Sequence, residues 1–148
     1  MDTKRIVIGT FVGGITLYVV GYLIFDLAVA DFYAANRGPA TDAFREAPLV
    51  WAVVLGDFAL ALLVTLGIVS PPASLTIGGG FITGAVIGFL AWFHTDFTYY
   101  GYFNVWNMPI PIVDPFLEIV HEGIAGAVIA AVLMRIPTAA TFSRRVDA

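Results

Sequence analysis

The chain has 148 residues, of which 59% are hydrophobic and only 12% are charged. A water-soluble domain is about one quarter charged, so this composition excludes an ordinary soluble globule, and the high hydrophobicity excludes intrinsic disorder. The absence of cysteine excludes disulfides and thiolate metal sites, and the net charge of −4 argues against a nucleic-acid partner, which requires a basic surface.

Four apolar segments are long enough to cross a lipid bilayer, which takes about 20 helical residues. In chain order they are residues 6–25, 48–70, 73–93 and 113–136. Four spans leave little of the chain for anything else. We therefore predict an all-α membrane protein, a single transmembrane four-helix bundle over residues 1–148 with a short C-terminal tail at 137–148.

Basic residues predict the orientation of the bundle, because cytoplasmic loops carry an excess of them. Five lie near the two termini, namely Lys4, Arg5, Arg135, Arg144 and Arg145. The loops after the first and third segments contain only Arg37 and Arg45. We therefore expect both termini, the tail and the 70–72 turn to be cytoplasmic, and the long loops at 31–46 and 97–112 to face outward.

The second of these long loops is rich in aromatic residues. They are Phe97, Tyr99, Tyr100, Tyr102, Phe103 and Trp106. One interpretation is a belt of rings at the depth of the lipid headgroups, where amphipathic aromatic side chains collect. The other is a lid over a lipid-like or pigment ligand.

An internal repeat is visible when the chain is aligned with itself at an offset of 67 residues. Residues 13–23 then match residues 80–90 at six of eleven positions, and the same offset pairs Pro48 with Pro115. The predicted repeats cover about 6–70 and 73–136. Each contains two spans, so the two hairpins are expected to be parallel and related by an axis along the membrane normal.

Small residues recur every four positions on three segments, a spacing that lets membrane helices approach closely. The predicted helix-packing positions are Gly9, Gly13, Gly80, Gly84, Gly88, Gly123 and Ala127. They indicate either packing within one chain or an interface with a second copy or another membrane subunit.

Acidic residues are concentrated toward the outward side of the predicted bundle. In the last segment Asp114, Glu118 and Glu122 recur every four residues, with His121 on the same stripe. Carboxylates within a membrane are expensive and usually functional, so we predict an acidic seam between the repeats. Its members are Asp26, Asp57, Glu118 and Glu122.

Three interpretations of these ionisable residues remain open. The carboxyl groups could join the helices structurally, or they could form a cation or proton site. Glu118 and His121 have the spacing of a bundle metal motif, with Glu122 and Asp114 as further possible ligands, but the second such pair that those motifs require is missing. The third interpretation is ligation of haem or chlorophyll by His94 and His121. No particular cofactor is indicated.

Catalytic motifs are not apparent in the sequence. It contains no nucleophile-elbow serine, no HExxH zinc motif and no phosphate-binding glycine loop. The triple glycine at 78–80 leads into an apolar span and is not followed by Lys and Ser or Thr. We therefore expect a protein that is not an enzyme.

The chain resembles a bacterial family of four-span membrane proteins of unknown function over about residues 10–135. The resemblance rests on residues 21–26, on 84–96 with the aromatic stretch that follows, and on 112–115 leading into a Gly- and Ala-rich last helix. It implies the four-span fold and a multi-pass location in the bacterial cytoplasmic membrane, and it implies no activity.

Two functions are compatible with these patterns. The first is an accessory or stabilising subunit that packs within a larger membrane complex or a homo-oligomer. The alternative is a transporter of a small solute, a cation or protons that uses the acidic seam. The expected partners are the lipid bilayer and either a second copy or other integral membrane subunits, with no nucleic acid.

Overall fold

The computed structural model describes residues 2–70 and 75–136, which are mostly helical. The helices are α1 (Thr3–Gly21) with a π-helical continuation (Tyr22–Ala28), α2 (Ala30–Ala35), α3 (Val50–Val69), α4 (Ile77–Tyr102) and α5 (Pro109–Leu133), and a 3-10 turn occupies Thr41–Ala43. Four of these, α1 with its continuation, α3, α4 and α5, are long and apolar enough to cross a membrane. The prediction of an all-helical protein with four helices long and apolar enough to span a membrane is confirmed, and this is compatible with a multi-pass membrane protein. The predicted 70–72 turn falls largely, and the 137–148 tail wholly, outside the described residues.

Each long helix forms because an apolar segment in a membrane must satisfy its own backbone N–H and C=O groups. The ends have local causes. The Asp2 carboxylate accepts a bond from the backbone N–H of Lys4 (3.0 Å). The Thr76 hydroxyl accepts one from the N–H of Gly79 (3.0 Å). These caps begin α1 and α4. Pro109 begins α5, at the first helical position where a missing N–H costs nothing.

The connection between α4 and α5 is shorter than the sequence predicted. Helix α4 continues to Tyr102 and α5 begins at Pro109, so the connection is only 103–108. The prediction of a loop over 97–112 is therefore wrong for most of its length. The reason is that His94 and Asp96 end the apolar character of the segment without ending the helix.

The four spans form two hairpins that share one extensive contact. Helix α1 packs on α3 and α4 packs on α5, while α1 also packs on α5 and so joins the hairpins. Helix α3 contacts α4 and α5 less than it contacts α1, and its backbone approaches α4 at Gly67, where an added Cβ would lie 2.9 Å from Thr83. Helix α5 has 50% of its most apolar 18-residue window buried, against 17% to 22% in the other three spans. It is therefore the central helix of the bundle.

One end of the bundle is a dry core. We call it the terminus end, because α1 begins there and α5 ends there. Val64, Ile129 and Leu133 are fully buried in it. The backbone of α1 approaches this core at Gly13, where an added Cβ would lie 2.6 Å from Cδ1 of Ile129. A larger residue at Gly13 would push α1 away from α5.

At the opposite end, which we call the loop end, the two connections bind each other. The N–H of Gly38 donates to the carbonyl oxygen of Val105 (2.8 Å). Arg37 and Trp106 form an isolated antiparallel β-bridge. The ring of Trp106 packs on that of Phe44, with centroids 5.1 Å apart. These contacts join the two hairpins above the membrane-spanning helices.

Candidate functional site

A cavity of about 860 Å³ occupies the loop-end half of the bundle. All five α-helices contribute to its wall. Its acidic lining residues are Asp26, Asp57, Asp96, Asp114 and Glu118, with His121 among them. Eight aromatic residues also line it: Tyr18, Tyr22, Phe25, Tyr33, Phe44, Trp92, Tyr99 and Trp106. Among the residues that the structure describes, no Lys or Arg lines this cavity.

The α4 wall of the cavity belongs to a stripe with a four-residue spacing. Its members are Gly80, Gly84, Gly88, Trp92 and Asp96, and all except Trp92 are buried. The first three are glycines, which allow α5 to lie directly against the α4 backbone. The last two are large side chains with polar groups, and both line the cavity.

Helix α5 presents a matching stripe. Its members are Asp114, Glu118, Glu122, Gly126 and Ala130, all of them buried. A Cβ on Gly80 would meet the carbonyl oxygen of Gly126, and one on Gly84 would meet that of Glu122. The two stripes therefore face each other, with small residues opposed at the terminus end and polar residues at the loop end.

His121 is held at both ring nitrogens. Its Nε2 lies 2.9 Å from the carbonyl oxygen of Leu17. A carbonyl can only accept, so Nε2 carries a hydrogen and donates it. Its Nδ1 lies 2.7 Å from Oε2 of Glu118. One proton therefore occupies the bond between Glu118 and His121, whether it belongs to the carboxyl or to the imidazole.

Glu122 lies beneath this pair and is fully buried. The indole N–H of Trp92 donates to its Oε1 (3.2 Å). The same oxygen lies 3.6 Å from Nδ1 of His121. Its other oxygen, Oε2, lies against Gly88 and has no hydrogen-bond partner among the residues described. Glu122 thus connects the close-packed part of the α4–α5 contact to the cavity.

Two further carboxyl groups of the cavity lack a partner for one oxygen. Asp96 on α4 is only 5% exposed, and its Oδ2 is buried without a hydrogen bond. Oδ2 of Asp57 on α3 is in the same situation. Neither oxygen has a hydrogen-bond partner among residues 2–70 and 75–136, which the structure describes. Buried polar atoms are normally hydrogen-bonded, so these two oxygens are unsatisfied acceptors in residues of the cavity wall.

Aromatic side chains form much of the cavity wall. Tyr33 of α2 and Trp106 of the α4–α5 connection pack edge to face, with centroids 6.4 Å apart. Phe25 contacts the His121 ring in the same manner at 5.4 Å. Of the aromatic stretch that the sequence singled out, Tyr99 and Trp106 line the cavity, whereas Tyr102 is 81% exposed.

The end of α1 is shaped to admit His121. A Cβ on Gly21 would lie 3.1 Å from Nε2 of His121, so the missing side chain makes room for the ring. Directly after Gly21 the chain becomes π-helical, and the N–H of Val29 donates to the carbonyl oxygen of Ile24 (2.9 Å). Single π-helical turns occur frequently at functional sites. Here the turn carries Tyr22 and Phe25 into the cavity wall.

The structure brings together only some of the predicted site residues. In the predicted acidic seam, Asp26, Asp57 and Glu118 line the cavity, with Asp26 exposed, and Glu122 lies below it. His94 is exposed on α4 and does not line the cavity, whereas His121 is buried. The two histidines therefore do not share this site.

Only three of the four predicted metal ligands lie close together. Glu118, His121 and Glu122 offer ligand atoms that all lie within 4.8 Å of one another. Two carboxylates and an imidazole suit zinc or a similar ion, although a fourth ligand would have to come from elsewhere. Asp114 is not part of this group and lies in the cavity wall.

The predicted packing glycines contact other helices of the same chain. A Cβ on Gly9 would lie 2.6 Å from Thr65, and one on Gly123 would lie 2.6 Å from the Phe81 ring. Ala127 is half-buried, and the close backbone approach of α5 to α4 is made at Gly126. The spacing that suggested an interface is thus used within the bundle.

Sequence reasoning missed Trp92 and Asp96 as site residues. Both continue the four-residue spacing of Gly80, Gly84 and Gly88, so extending that stripe would have found them. Gly21 offered no such indication, because its role depends on a histidine 100 residues away in the sequence. Comparison with protein families, with functionally characterised proteins and with solved structures gave no match.

Proposed function

We propose that this protein is a membrane carrier of cations, which binds a positively charged solute in the loop-end cavity in exchange for a proton. The observation that carries the proposal is Asp96. Its carboxyl group is almost fully buried in the cavity wall, and its Oδ2 has no partner among the described residues.

The charges of the cavity favour exchange of a cation for a proton. An uncompensated carboxylate within a membrane costs several kcal/mol, so each buried carboxyl must carry a proton or face a cation. Asp57, Asp96 and Asp114 face the cavity from three helices. The positive charge that His121 can supply is already engaged by Glu118. A cation that enters therefore replaces a proton on one of the other carboxyl groups.

The terminus end of the bundle is closed in this conformation, so a transport cycle requires it to open. Val64, Ile129 and Leu133 fill the bundle below the cavity, and the glycine contacts of α4 with α5 leave no gap beside them. A carrier must open this end in a second conformation. We place the opening between α3 and the α4–α5 hairpin, since α3 contacts these two helices less than it contacts α1.

Proton-coupled uptake into proteoliposomes tests the proposal. We expect at least one of Na⁺, Mn²⁺ and tetraethylammonium, added outside, to drive a pH change in the lumen that a trapped dye reports. Asp96→Asn should reduce this signal at least tenfold, because a neutral amide cannot exchange a proton for a cation. Asp31→Asn is the matched control, since Asp31 is exposed on α2 and does not line the cavity.

The proposal fails if none of the three cations moves protons, or if the two variants behave alike. A folding defect is separated from a transport defect by the elution profile of each variant in mild detergent. Asp96→Asn retains the size and hydrogen-bonding capacity of the side chain, so its profile should match that of the unmodified protein.

The sequence supports further proposals about the orientation, internal repeat and location of this carrier. The distribution of basic residues places both termini in the cytoplasm and the loop end outside. The 67-residue offset relates the α1–α3 hairpin to the α4–α5 hairpin as a parallel repeat. The family resemblance places the protein in a bacterial cytoplasmic membrane.

The role of accessory subunit ranks second among the possible functions. Its main support was the set of small-residue stripes, and the glycines among them, which are Gly9, Gly13, Gly80, Gly84, Gly88 and Gly123, contact other helices of the same chain. Native mass spectrometry of protein extracted in mild detergent distinguishes the two roles. A heteromeric mass would favour the subunit, and a monomer or homodimer would favour the carrier.

A further inference from the structure

We infer that the cation taken by this cavity is a hydrophobic organic monocation, an amine or quaternary onium with an apolar body and no anionic group. The inference rests on the proposed function in one respect, namely that the loop-end cavity accepts a cation. It adds the chemical class of that cation, which size, wall composition and charge arrangement indicate together.

The size of the cavity suits an organic molecule. Sites for drug-sized ligands occupy about 300–1,000 Å³, and this cavity measures about 860 Å³. A single inorganic ion bound at one carboxylate would leave most of that volume to be filled by water against apolar side chains. Val50, Val53 and Ile110 belong to this apolar wall.

Aromatic and acidic side chains occur together from the roof to the floor of the cavity. Tyr33, Phe44 and Trp106 come from the connections at the loop end and form the roof. Glu118 and His121 lie two to three turns into α5 and form the floor, where Phe25 packs on the His121 ring. Ring faces attract cations and also pack on apolar groups, so a ligand with a charged head and an apolar body finds both kinds of contact in this wall.

The charge of the wall disfavours ligands that carry an anionic group. No described residue that lines the cavity is Lys or Arg, so a phosphate or carboxylate would be buried beside Asp57, Asp96 and Asp114 without a partner. Such burial costs several kcal/mol. Zwitterionic phospholipids and amino acids are therefore disfavoured, although both contain an ammonium group.

The arrangement of the carboxylates also disfavours a metal ion in the cavity. Within the described residues, the one group of clustered ligand atoms is Glu118, His121 and Glu122. Glu122 does not line the cavity, and Glu118 and His121 already bond to each other. Asp57 and Asp96 project from different helices and lie outside that group. Dispersed negative charge suits a bulky cation, whose charge needs no close coordination shell.

A matched set of phosphonium compounds tests the inference on the full-length protein in lipid nanodiscs. Butyltriphenylphosphonium is the cation, 4-carboxybutyltriphenylphosphonium is its zwitterionic counterpart at pH 7, and triphenylphosphine oxide is the neutral one. Tryptophan fluorescence reports binding, since Trp92 and Trp106 line the cavity. Trp51→Phe removes the third tryptophan, which is 68% exposed and outside the cavity.

We expect the cation to bind at least tenfold more tightly than the zwitterion or the neutral compound. Asp96→Asn should weaken its binding at least tenfold, and Asp31→Asn should not change it. Trp106→Leu should weaken binding about fivefold, whereas Phe103→Leu, an exposed aromatic of the same connection, should have no effect.

The outcomes separate the inference from the proposed function. If Mn²⁺ or Na⁺ binds in an Asp96-dependent manner and the phosphonium cation does not, the organic class is wrong and a cation site remains. Equal binding of all three phosphorus compounds would show apolar partitioning and overturn the inference. If no cation, organic or inorganic, binds to the protein, both proposals fail.

Discussion

The two halves of the α4–α5 contact use the same spacing for opposite purposes. At the terminus end Gly80 of α4 opposes Gly126 and Ala130 of α5, and the backbones touch. At the loop end the same stripes continue as Trp92 and Asp96 on α4 and Asp114 and Glu118 on α5, which line the cavity together with residues of α1, α2 and α3. One four-residue spacing therefore provides close packing at one end of the bundle and part of the cavity wall at the other.

The glycine contacts show how small side chains let membrane helices approach each other closely. Lipid provides no hydrophobic force between helices, so close approach depends on small residues and on polar contacts. Small residues make the close approach at the terminus end. Polar contacts, such as the hydrogen bond from Trp92 to Glu122, join the helices toward the loop end.

The largest effect is expected where the terminus end is most tightly packed. In Gly80→Leu the new side chain collides with the backbone of Gly126. Its Cβ atom alone would lie 2.5 Å from the Cβ atom of Ala130. We expect the free energy of unfolding to fall by at least about 3 kcal/mol, measured by unfolding in mixed micelles.

Gly56→Leu is the control for this prediction. It makes the same change on α3, where a Cβ would meet no atom within 4 Å. We expect stability close to that of the unmodified protein. Equal loss in both variants would mean that leucine is poorly tolerated in general and that close packing at Gly80 is unimportant.

The buried pair at the loop end predicts a smaller effect. His121→Leu leaves the Glu118 carboxyl without its partner in a nearly fully buried position, which costs about 3 kcal/mol or slightly less if water enters from the cavity. Adding Glu118→Leu should restore most of this stability, because no unpaired polar group remains. Thermal unfolding of the two single variants and the double variant measures the coupling.

His94→Leu is the matched control, since His94 is exposed on α4. Its effect should stay within about 0.5 kcal/mol. The pairing of Glu118 with His121 is contradicted if the double variant loses the sum of the two single losses, since independent residues behave additively.

The smallest effect on stability is expected at Trp92, where the close-packed part of the α4–α5 contact meets the cavity. Trp92→Phe keeps an aromatic ring but removes the N–H that donates to the fully buried Glu122. Loss of that donor should cost about 2 kcal/mol, measured by the same thermal assay. Trp51→Phe makes the identical change at an exposed position and should cost nothing measurable. A neutral Trp92→Phe would show that the Trp92–Glu122 bond does not contribute.

Much of the site on α5 could be predicted because it is local. Asp114, Glu118, His121 and Glu122 share one face through helical geometry alone, and the structure finds all four buried. The role of Asp96 was not predicted, because the hydropathy of its segment ends before it and suggested a loop. Asp96 continues the four-residue spacing of Gly80, Gly84 and Gly88, and that spacing would have predicted its place on the same helix face.

The sequence by itself determined the number of spans and the polar stripe of α5, since segment length and residue spacing are properties of a single helix. Only the tertiary structure decided which stripes face each other and where they separate. It placed Asp57 of α3 and Asp96 of α4 in one cavity wall, and it set the hydrogen position on His121 through the carbonyl of Leu17, 104 residues earlier. These relations depend on the rotation and distance of packed helices, which no local pattern encodes.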